Sequence, residues 1–243
     1  MKKYFNINIQ FDHLKFEDIV KSTAISNKGY CCFVDMNSLV FSFKDESFRN
    51  VLNNSLSNCC DGRYIAIISS KIHKNRFKEY TGPDFFKKFI YHNNNHLIIG
   101  NTEDVFEKIK LKVSNKNSHS NNLSYLSIPF VGVNEFDYIG ISKHINELSP
   151  DYIWVSLGAP KQEIFMSMLL PHINKGVMLG VGAAINYFSG EIKDIPSWIK
   201  KINLIWLYRI YTEPKKQVKR LISILLMLPK IINEEKINST TKL

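Results

Sequence analysis

A six-residue stretch, Gly158-Ala-Pro-Lys-Gln-Glu163, separates an apolar run from a helical apolar pattern. A glycine at such a junction lets the backbone come close to a ligand, and the helix start beyond it offers N–H groups to an anion. Pro160 fits the first helical position, and Lys161 adds a positive charge suited to phosphate. Gln162 and Glu163 are able to hydrogen-bond a base edge or sugar hydroxyls. The junction indicates nucleotide binding; the alternative is a capped loop whose Lys and Glu are solvated.

Two other predicted strand ends carry glycine, at Gly100 and at Gly182. Because ligands of open α/β sheets bind beyond the C-terminal ends of the strands, these glycines belong to the same predicted site. Neither the GxGxxG dinucleotide pattern nor the P-loop pattern is present. No paired-carboxylate DxD motif and no zinc-ligand spacing occurs, so the sequence predicts no metal and no cofactor. Asp61-Gly62 is by itself a common turn dipeptide.

The elements that must position these residues alternate between strand and helix. Strands are predicted at 96–100, 126–133, 151–158 and 176–182, with helices between them, and residues 114–126 are predicted to be a polar linker. Nearer the N-terminus the sequence predicts a strand that ends at about Val34, a helix at 44–57 and a short strand at 64–70. This alternation predicts an α/β fold with a mostly parallel sheet covered by helices on both faces.

The net charge of +10 is concentrated at the end of the chain: from Lys193 onward, eleven Lys or Arg stand against four Asp or Glu. A basic tail suits nucleic acid, an anionic membrane or a phosphorylated substrate. No helix-turn-helix, zinc-finger or RNP pattern is present, so no nucleic-acid partner is predicted, although a basic nucleic-acid binder stays as an alternative. The tail mixes Lys and Arg with Trp, Tyr, Ile and Leu, which predicts an amphipathic segment at an anionic membrane surface. The alternative is a helix pair that packs on the core or on another subunit of a homo-oligomer.

Three further features of the sequence concern the cellular compartment of the protein. The longest apolar candidate for a membrane span, Leu221–Leu228, is far shorter than the roughly 18 residues needed to cross a bilayer. Polar residues interrupt the apolar character of the N-terminal segment, so no signal peptide is predicted. The four cysteines form two adjacent pairs, at 31–32 and 59–60, and are predicted to be buried thiols in a reducing cytoplasm.

Several segments together resemble the WecG/TagA/CpsF family of bacterial glycosyltransferases. Residues 152–222 resemble its G-x-P-K-Q-E segment, its GVGaaFD-like segment, its proline-tryptophan turn and its tail with Arg and Glu-Pro, in matching order and spacing. Residues 61–86 resemble the family's block that begins with Asp-Gly and ends with Thr-Gly-x-Asp. The stretch Val-Asp-Met-Asn that ends at Asn37 resembles the family's strand-end asparagine. The resemblance covers most of the chain.

The resemblance implies an inverting, metal-independent transferase with a Rossmann-like α/β core. Such enzymes move an N-acetylmannosamine-type or related sugar from a UDP donor to a sugar on a polyprenyl diphosphate, for wall teichoic acid, enterobacterial common antigen or capsule. It implies a protein in the cytoplasm, peripheral at the inner face of the membrane. We expect a catalytic core at 1–195 and a basic, amphipathic helical appendage at 196–243.

The resemblance also implies the roles of individual residues. Asp61, at the family's Asp-Gly position, is the implied general base. The implied substrate-binding residues are Asn37, Gly62, Thr81, Gly82, Asp84, Gly100, Gly158, Pro160, Lys161, Gln162, Glu163, Gly182, Ala183, Asn186, Arg209 and Arg220. The two arginines match arginines of the family tail and suit phosphate, because a guanidinium donates two parallel hydrogen bonds.

The chain departs from the family pattern at several positions. Asn186 replaces an aspartate, Ile205 replaces the glutamate of the tail, and Tyr64 stands where the family has a second glycine after Asp-Gly. These departures favour a different donor sugar. The alternative function is a non-catalytic relative that binds a UDP-sugar or enhances a separate transferase.

Overall fold

The computed structural model of the protein describes residues 3–116, 122–193, 196, 199 and 205–240, with the backbone alone at 205, 206, 209 and 216. The strands are β1 (Ile9–Gln10), β2 (Lys28–Val34), β3 (Ser57–Cys60), β4 (His96–Ile99), β5 (Leu123–Leu126), β6 (Tyr152–Val155) and β7 (Gly176–Gly180). They form one sheet in the order β1-β3-β2-β7-β6-β4-β5, and every neighbouring pair is parallel. All strand C-terminal ends therefore lie along one edge.

Helices fill the connections between the strands. They are α1 (His13–Ser26), α2 (Met36–Lys44), α3 (Glu46–Asn53), α4 (Arg63–His73), α5 (Gly82–Phe89), α6 (Glu103–Ser114), α7 (Tyr138–Leu148), α8 (Lys161–Leu169), α9 (Ala184–Ser189), α10 (Ile205–Thr212) and α11 (Pro214–Thr240). Several begin at a side-chain cap: Thr102, for example, accepts a hydrogen bond from the N–H of Val105, 3.4 Å away, at the start of α6.

The core is divided by the sheet, because successive side chains of a strand point to opposite faces. In β2, Tyr30, Cys32 and Val34 pack with residues of α2, α3, α4, α7, α8 and α11, whereas Cys31 and Phe33 pack with residues of α1, α5, α6 and α9. Helices thus cover both faces, and the predicted Rossmann-like α/β fold is confirmed. All four cysteines are buried free thiols, as predicted.

The strand predicted at residues 64–70 is wrong, because α4 occupies this region. The buried residues Ile65, Ala66 and Ser69 repeat at helical spacing, while Tyr64 and Ile67 are exposed.

The strand of this region is β3, whose sequence Ser-Asn-Cys-Cys carries a fully buried asparagine. The side-chain amide of Asn58 donates to the carbonyl oxygens of Asn8 and Leu52, at 2.9 and 2.8 Å. These two bonds satisfy the buried amide, so a polar residue is tolerated in a central strand.

The strand predicted at residues 126–133 is also misplaced, because β5 lies earlier, within the predicted polar linker. β5 is an edge strand and most of its residues are only half-buried, so it tolerates polar residues that a central strand would exclude. Pro129 lies just beyond it and has no N–H to donate to a sheet.

The long C-terminal helix α11 packs against α2 and α4, and its Ile231 is fully buried. Glu235 of α11 is 1% exposed; its Oε2 accepts from the N–H of Phe5 at 2.5 Å, and its Oε1 lies 2.7 Å from Nε2 of His73. This half of α11 agrees with the alternative that the tail packs on the core. The division into 1–195 and 196–243 stays a prediction. Within the described ranges, no helix combines the length and the apolar character needed to cross a membrane.

Candidate functional site

The C-terminal ends of β2 and β3 and the start of α5 meet at Asp61, which follows the last residue of β3. The backbone N–H of Asp61 donates to the carbonyl of Val34 at 3.0 Å, and its Oδ1 accepts from the N–H of Gly82 at 2.8 Å. Gly82 also lies beside the end of β7, since a Cβ built on it would stand 3.8 Å from the carbonyl oxygen of Val181. The half-buried carboxylate is therefore held at this edge of the sheet, between the end of β3 and the start of α5.

Gly62 directly follows Asp61, and Asn37 lies just beyond the end of the neighbouring strand β2. Gly62 caps α4, and a Cβ built on it would stand only 3.3 Å from Cα of Asp35, so the position favours glycine. Asp35 is the residue at the end of β2, where its side chain caps α2 by accepting from the N–H of Ser38 at 2.7 Å. Asn37 sits half-buried in the first turn of α2.

Thr81 and Asp84 bond to each other at the start of α5. The Thr81 hydroxyl accepts from the N–H of Asp84 at 3.2 Å and donates to its carboxylate at 2.5 Å. Such a reciprocal cap stabilises the first turn of a helix. The predicted binding residues Thr81 and Asp84 thus fix the helix start that aims the N–H of Gly82 at Asp61.

The junction after β6 leaves room for a ligand. Gly158 has a left-handed φ of 75°, and a Cβ built on it would meet no described atom within 4 Å. The Ala159–Pro160 peptide bond is cis. Pro160 is the N-cap of α8 and not its first helical residue, so the helix begins one residue later than predicted. Gly158 therefore lines open space, and its contact with a ligand stays a prediction.

Lys161 is directed to the loop that follows β5. Its ammonium donates to the carbonyl of Val131 and lies 5.1 and 4.9 Å from the ring centroids of Phe130 and Phe136. These partners hold the charge by a hydrogen bond and two cation–π contacts. The phosphate contact that the sequence predicts for Lys161 stays a prediction.

Gln162 and Glu163 lie beneath the strand ends, where they are 4% and 1% exposed. The Nε2 of Gln162 donates to the carbonyl of Gly180 at 2.8 Å and to Oε1 of Glu163 at 3.0 Å. Within the described chain, Oε1 of Gln162 and Oε2 of Glu163 have no hydrogen-bond partner. Burial, with a smaller contribution from the nearby charge of Asp35, raises the pKa of Glu163 to about 7, against the hydrogen bond from Gln162, which lowers it. Glu163 is thus too deeply buried to meet a sugar hydroxyl at the surface in this conformation.

A polar network joins the ends of β4, β6 and β7. Nδ2 of Asn101 donates to Oγ of Ser156 at 3.1 Å and to Oδ1 of Asn186 at 2.7 Å. The hydroxyl of Ser156 donates to the carbonyl of Gly182 at 2.9 Å. Sequence reasoning selected Asn186 and Gly182 but missed Asn101 and Ser156. Both are the first polar residues after an apolar strand, and this signal could have identified them.

Gly100 and Ala183 complete this part of the edge. A Cβ built on Gly100 would approach the carbonyl oxygen of Ser156 to 2.9 Å, and the φ of 84° is left-handed, so glycine is required there. Ala183 precedes α9, and its carbonyl accepts from the N–H of Tyr187 at 3.1 Å. Gly100 positions the residue that follows it, Asn101, and Ala183 starts the helix that carries Asn186, so the two side chains meet.

Comparison with known proteins identifies the family. A sequence model described as the glycosyl transferase WecG/TagA/CpsF family matches residues 5–241. The chain belongs to this family. The N-acetylglucosaminyldiphosphoundecaprenol N-acetyl-beta-D-mannosaminyltransferase of Bacillus subtilis (strain 168) is 28% identical over 206 residues, which are 82% of this chain and 77% of the relative. The protein of the same name from Staphylococcus aureus (strain NCTC 8325 / PS 47) is 36% identical over 91 residues, 37% of this chain and 35% of the relative.

The two tail arginines implied by the WecG/TagA/CpsF resemblance belong to the C-terminal helices α10 and α11. Arg209 belongs to α10, and its side chain lies outside the described residues. Arg220 is half-buried on α11, about one turn before Ser223, whose hydroxyl accepts from the ammonium of Lys44 at the last residue of α2. Among the described contacts, none joins Arg220 to Asp61.

In this member of the WecG/TagA/CpsF family, the edge combines a fixed carboxylate, a glycine-lined space and a network of amides and hydroxyls. Across the ranges that the structure describes, no three His, Cys, Asp or Glu side chains are grouped so as to hold a metal ion. The carboxylate suits proton abstraction from a hydroxyl, and the network suits hydrogen bonding to a sugar or ribose.

Proposed function

We propose that the protein transfers an N-acetylmannosamine-type or related sugar from a UDP donor to a polyprenyl-diphosphate-linked saccharide, with inversion at the anomeric carbon. Membership of a glycosyltransferase family over residues 5–241 supports the reaction class. The names of the Bacillus and Staphylococcus relatives support N-acetylglucosamine on a polyprenyl diphosphate as the acceptor. The observation that carries the proposal is the position of Asp61 at the strand-end edge, where it is bonded to the start of α5 and to the end of β2.

Asp61 is the proposed general base. In inverting transfer a base takes the proton of the acceptor hydroxyl while its oxygen attacks the anomeric carbon and UDP leaves from the opposite side. The N–H of Gly82 orients the carboxylate through its bond to Oδ1, and the bond from the backbone of Asp61 to Val34 fixes the residue against β2. A base positioned in this way contributes about 10²–10⁴-fold to the rate.

The proposed donor site is the open space beside Gly158, between the ends of β6 and β7. Asn186 and its partner Asn101 supply amides for hydroxyls of the donor sugar or of the ribose. The N–H groups at the start of α8 face developing negative charge without reorganisation, so they suit the leaving diphosphate. We propose that this stabilisation needs no metal ion.

The proposed location is the inner face of the cytoplasmic membrane, with the protein bound peripherally. Val218, Ile222, Leu225 and Leu226 are exposed on one side of α11 and are accompanied by basic residues of the same helix. Each basic residue near anionic lipid contributes about 1 kcal/mol of attraction. The same apolar side is compatible with a homo-oligomer.

The decisive experiment is Asp61→Asn. The amide oxygen of an asparagine keeps an acceptor for the N–H of Gly82, so the variant should fold, but it should lose about 10²–10⁴-fold in transfer rate. UDP release with a synthetic polyprenyl-diphosphate-GlcNAc acceptor measures the rate. Asp18→Asn, at an exposed position of α1, is the matched control and should be fully active. A folded Asp61→Asn variant with the control's rate would refute the assignment of the base.

A donor panel tests the rest of the proposal. UDP-N-acetylmannosamine and other UDP-sugars are offered with the same acceptor, and turnover is compared with and without EDTA. Turnover of one UDP-sugar that EDTA does not change supports a metal-independent transferase. If no donor turns over but the protein stimulates a partner transferase, and does so equally as Asp61→Asn, the non-catalytic alternative is correct.

A further inference from the structure

A groove of about 570 Å³ runs along α4, away from Asp61. One wall is α4, and the other is the segment 77–79. The two walls are antiparallel: the N–H of Phe77 donates to Oγ of Ser70 at 2.9 Å, while Glu79 lies opposite Arg63, 3.7 Å from its guanidinium. The segment then reaches β3, where the N–H of Tyr80 donates to the carbonyl of Cys60 at 2.8 Å. The Arg63–Glu79 end of the groove therefore adjoins the proposed base.

The polar groups of this groove are mostly cationic. Arg63, Lys71 and Lys78 line it, and Glu79 is the one carboxylate of its lining. Among the described residues, neither Lys71 nor Lys78 has a carboxylate within 4 Å, whereas Glu79 is partly neutralised by Arg63. The groove therefore has a net positive charge that its own residues leave available to an anionic ligand.

The start of α4 adds to this attraction for anions. α4 has eleven residues and is capped by Gly62, and among the described residues no side chain accepts from its first N–H groups. Uncapped N–H groups at a helix start, with the positive end of the helix dipole, bind phosphate. This helix start lies at the end of the groove that adjoins Asp61, next to Arg63.

The floor of the groove is apolar. Ala66, Ile67 and Phe77 line it, and Ile67 is 40% exposed. From Arg63 to Lys71 the groove follows eight residues of α4, which is about 12 Å at the helical rise of 1.5 Å per residue. A ligand that fits has negative charge at the end near Asp61 and a slender apolar chain beyond it.

We infer that this groove binds the diphosphate and the first isoprenoid units of the lipid-linked acceptor. This inference rests on the proposed function, because the saccharide of such an acceptor would lie at Asp61. The diphosphate would meet the α4 start, Arg63 and Lys78, and the isoprenoid chain would cover Ile67 and Phe77. Lys71 would lie beside the chain at the far end and add to the field that attracts the diphosphate.

Direct binding tests the groove without any transfer reaction. Farnesyl diphosphate, inorganic pyrophosphate and farnesol are titrated separately into the wild-type protein. We expect farnesyl diphosphate to bind most tightly, because it meets both the basic end and the apolar floor. Ile67→Ser should weaken the binding of farnesyl diphosphate and leave the binding of pyrophosphate unchanged. Ile139→Ser, at an exposed position of α7, is the control for this variant. Equal affinity for farnesyl diphosphate and pyrophosphate would mean a phosphate site only and would overturn the inference.

Charge reversal provides the second test. Lys71→Glu and Lys78→Glu change exposed residues and should fold; combined, they should raise the dissociation constant for farnesyl diphosphate and the KM for the lipid-linked acceptor about tenfold, with the donor KM unchanged. Lys143→Glu, exposed on α7, is the control. If wild-type protein transfers sugar but the double variant matches the control, the groove assignment fails while the proposed function stands. If farnesyl diphosphate binding depends on the lysines but no transfer occurs, the groove stands and the proposed function fails.

Discussion

Glu163→Gln should stabilise the protein, and increasingly so as the pH rises. The buried carboxyl of Glu163 has its pKa raised from 4.5 to about 7, chiefly by burial. Between these two pH values the folded protein holds a proton that the unfolded chain has released, so the stability of the wild type falls as pH rises through this interval. At 1.36 kcal/mol per pH unit, the full cost above pH 7 is roughly 3 kcal/mol.

Glutamine removes this cost because it does not ionise. Its side-chain oxygen is still able to accept from Nε2 of Gln162, so the hydrogen bond at 3.0 Å is kept. Near pH 4.5 the unfolding free energies of the variant and the wild type should agree to within about 1 kcal/mol. At pH 8 the unfolding free energy of the variant should be higher by roughly 3 kcal/mol, which corresponds to a rise in Tm on the order of 10 °C for a chain of this size.

Urea denaturation at half-unit steps from pH 4.5 to 8 measures the difference in unfolding free energy directly. Glu147→Gln, exposed on α7, is the matched control and should show no comparable pH-dependent gain. If Glu163→Gln were equally or less stable than the wild type at pH 8, the carboxylate would be stably ionised in the folded protein, and the reasoning from burial would be refuted.

Two other predictions concern the backbone and the C-terminal helix. Gly158→Ala should cost about 1–2 kcal/mol of unfolding free energy in urea, because alanine resists the φ of 75° although its methyl group has room; an unchanged midpoint would contradict this. Glu235→Ala should cost about 3 kcal/mol or more, because it removes the acceptor for the N–H of Phe5 and for His73. Limited proteolysis should then cut α11 faster than in the control Lys236→Ala, which changes an exposed residue of the same helix. Equal cleavage of the two variants would show that this contact does not hold the helix.

The sequence predicts those strands that are apolar and are followed by glycine. A strand buried on both faces needs apolar residues, and the turn at its end favours glycine. β4, β6 and β7 all have this pattern, and all are confirmed. The apolar run at 64–70 predicts a strand because β-branched residues favour strands locally, and only the packing of α4 on the core decides for a helix.

The candidate site is less predictable than the fold. The arrangement of strand ends follows from parallel topology, so the grouping of Gly158 and Gly182 could be expected from sequence. The directions of side chains could not. Lys161 turns to a carbonyl and two aromatic rings that lie 25 to 31 residues away in sequence, and Glu163 is buried by elements whose packing no local pattern encodes.

The contact between Glu235 and Phe5 ties together segments that are 230 residues apart in sequence. Two bonds extend it: Asn6 donates to Glu234 at 3.1 Å, and Asn238 donates to Asn6 at 2.9 Å. Amide hydrogens in these two segments should consequently exchange with deuterium at matching rates, since one opening event exposes both. A fluorophore placed on either segment would report the same opening event. The two segments, although distant in sequence, would behave as a single cooperative unit.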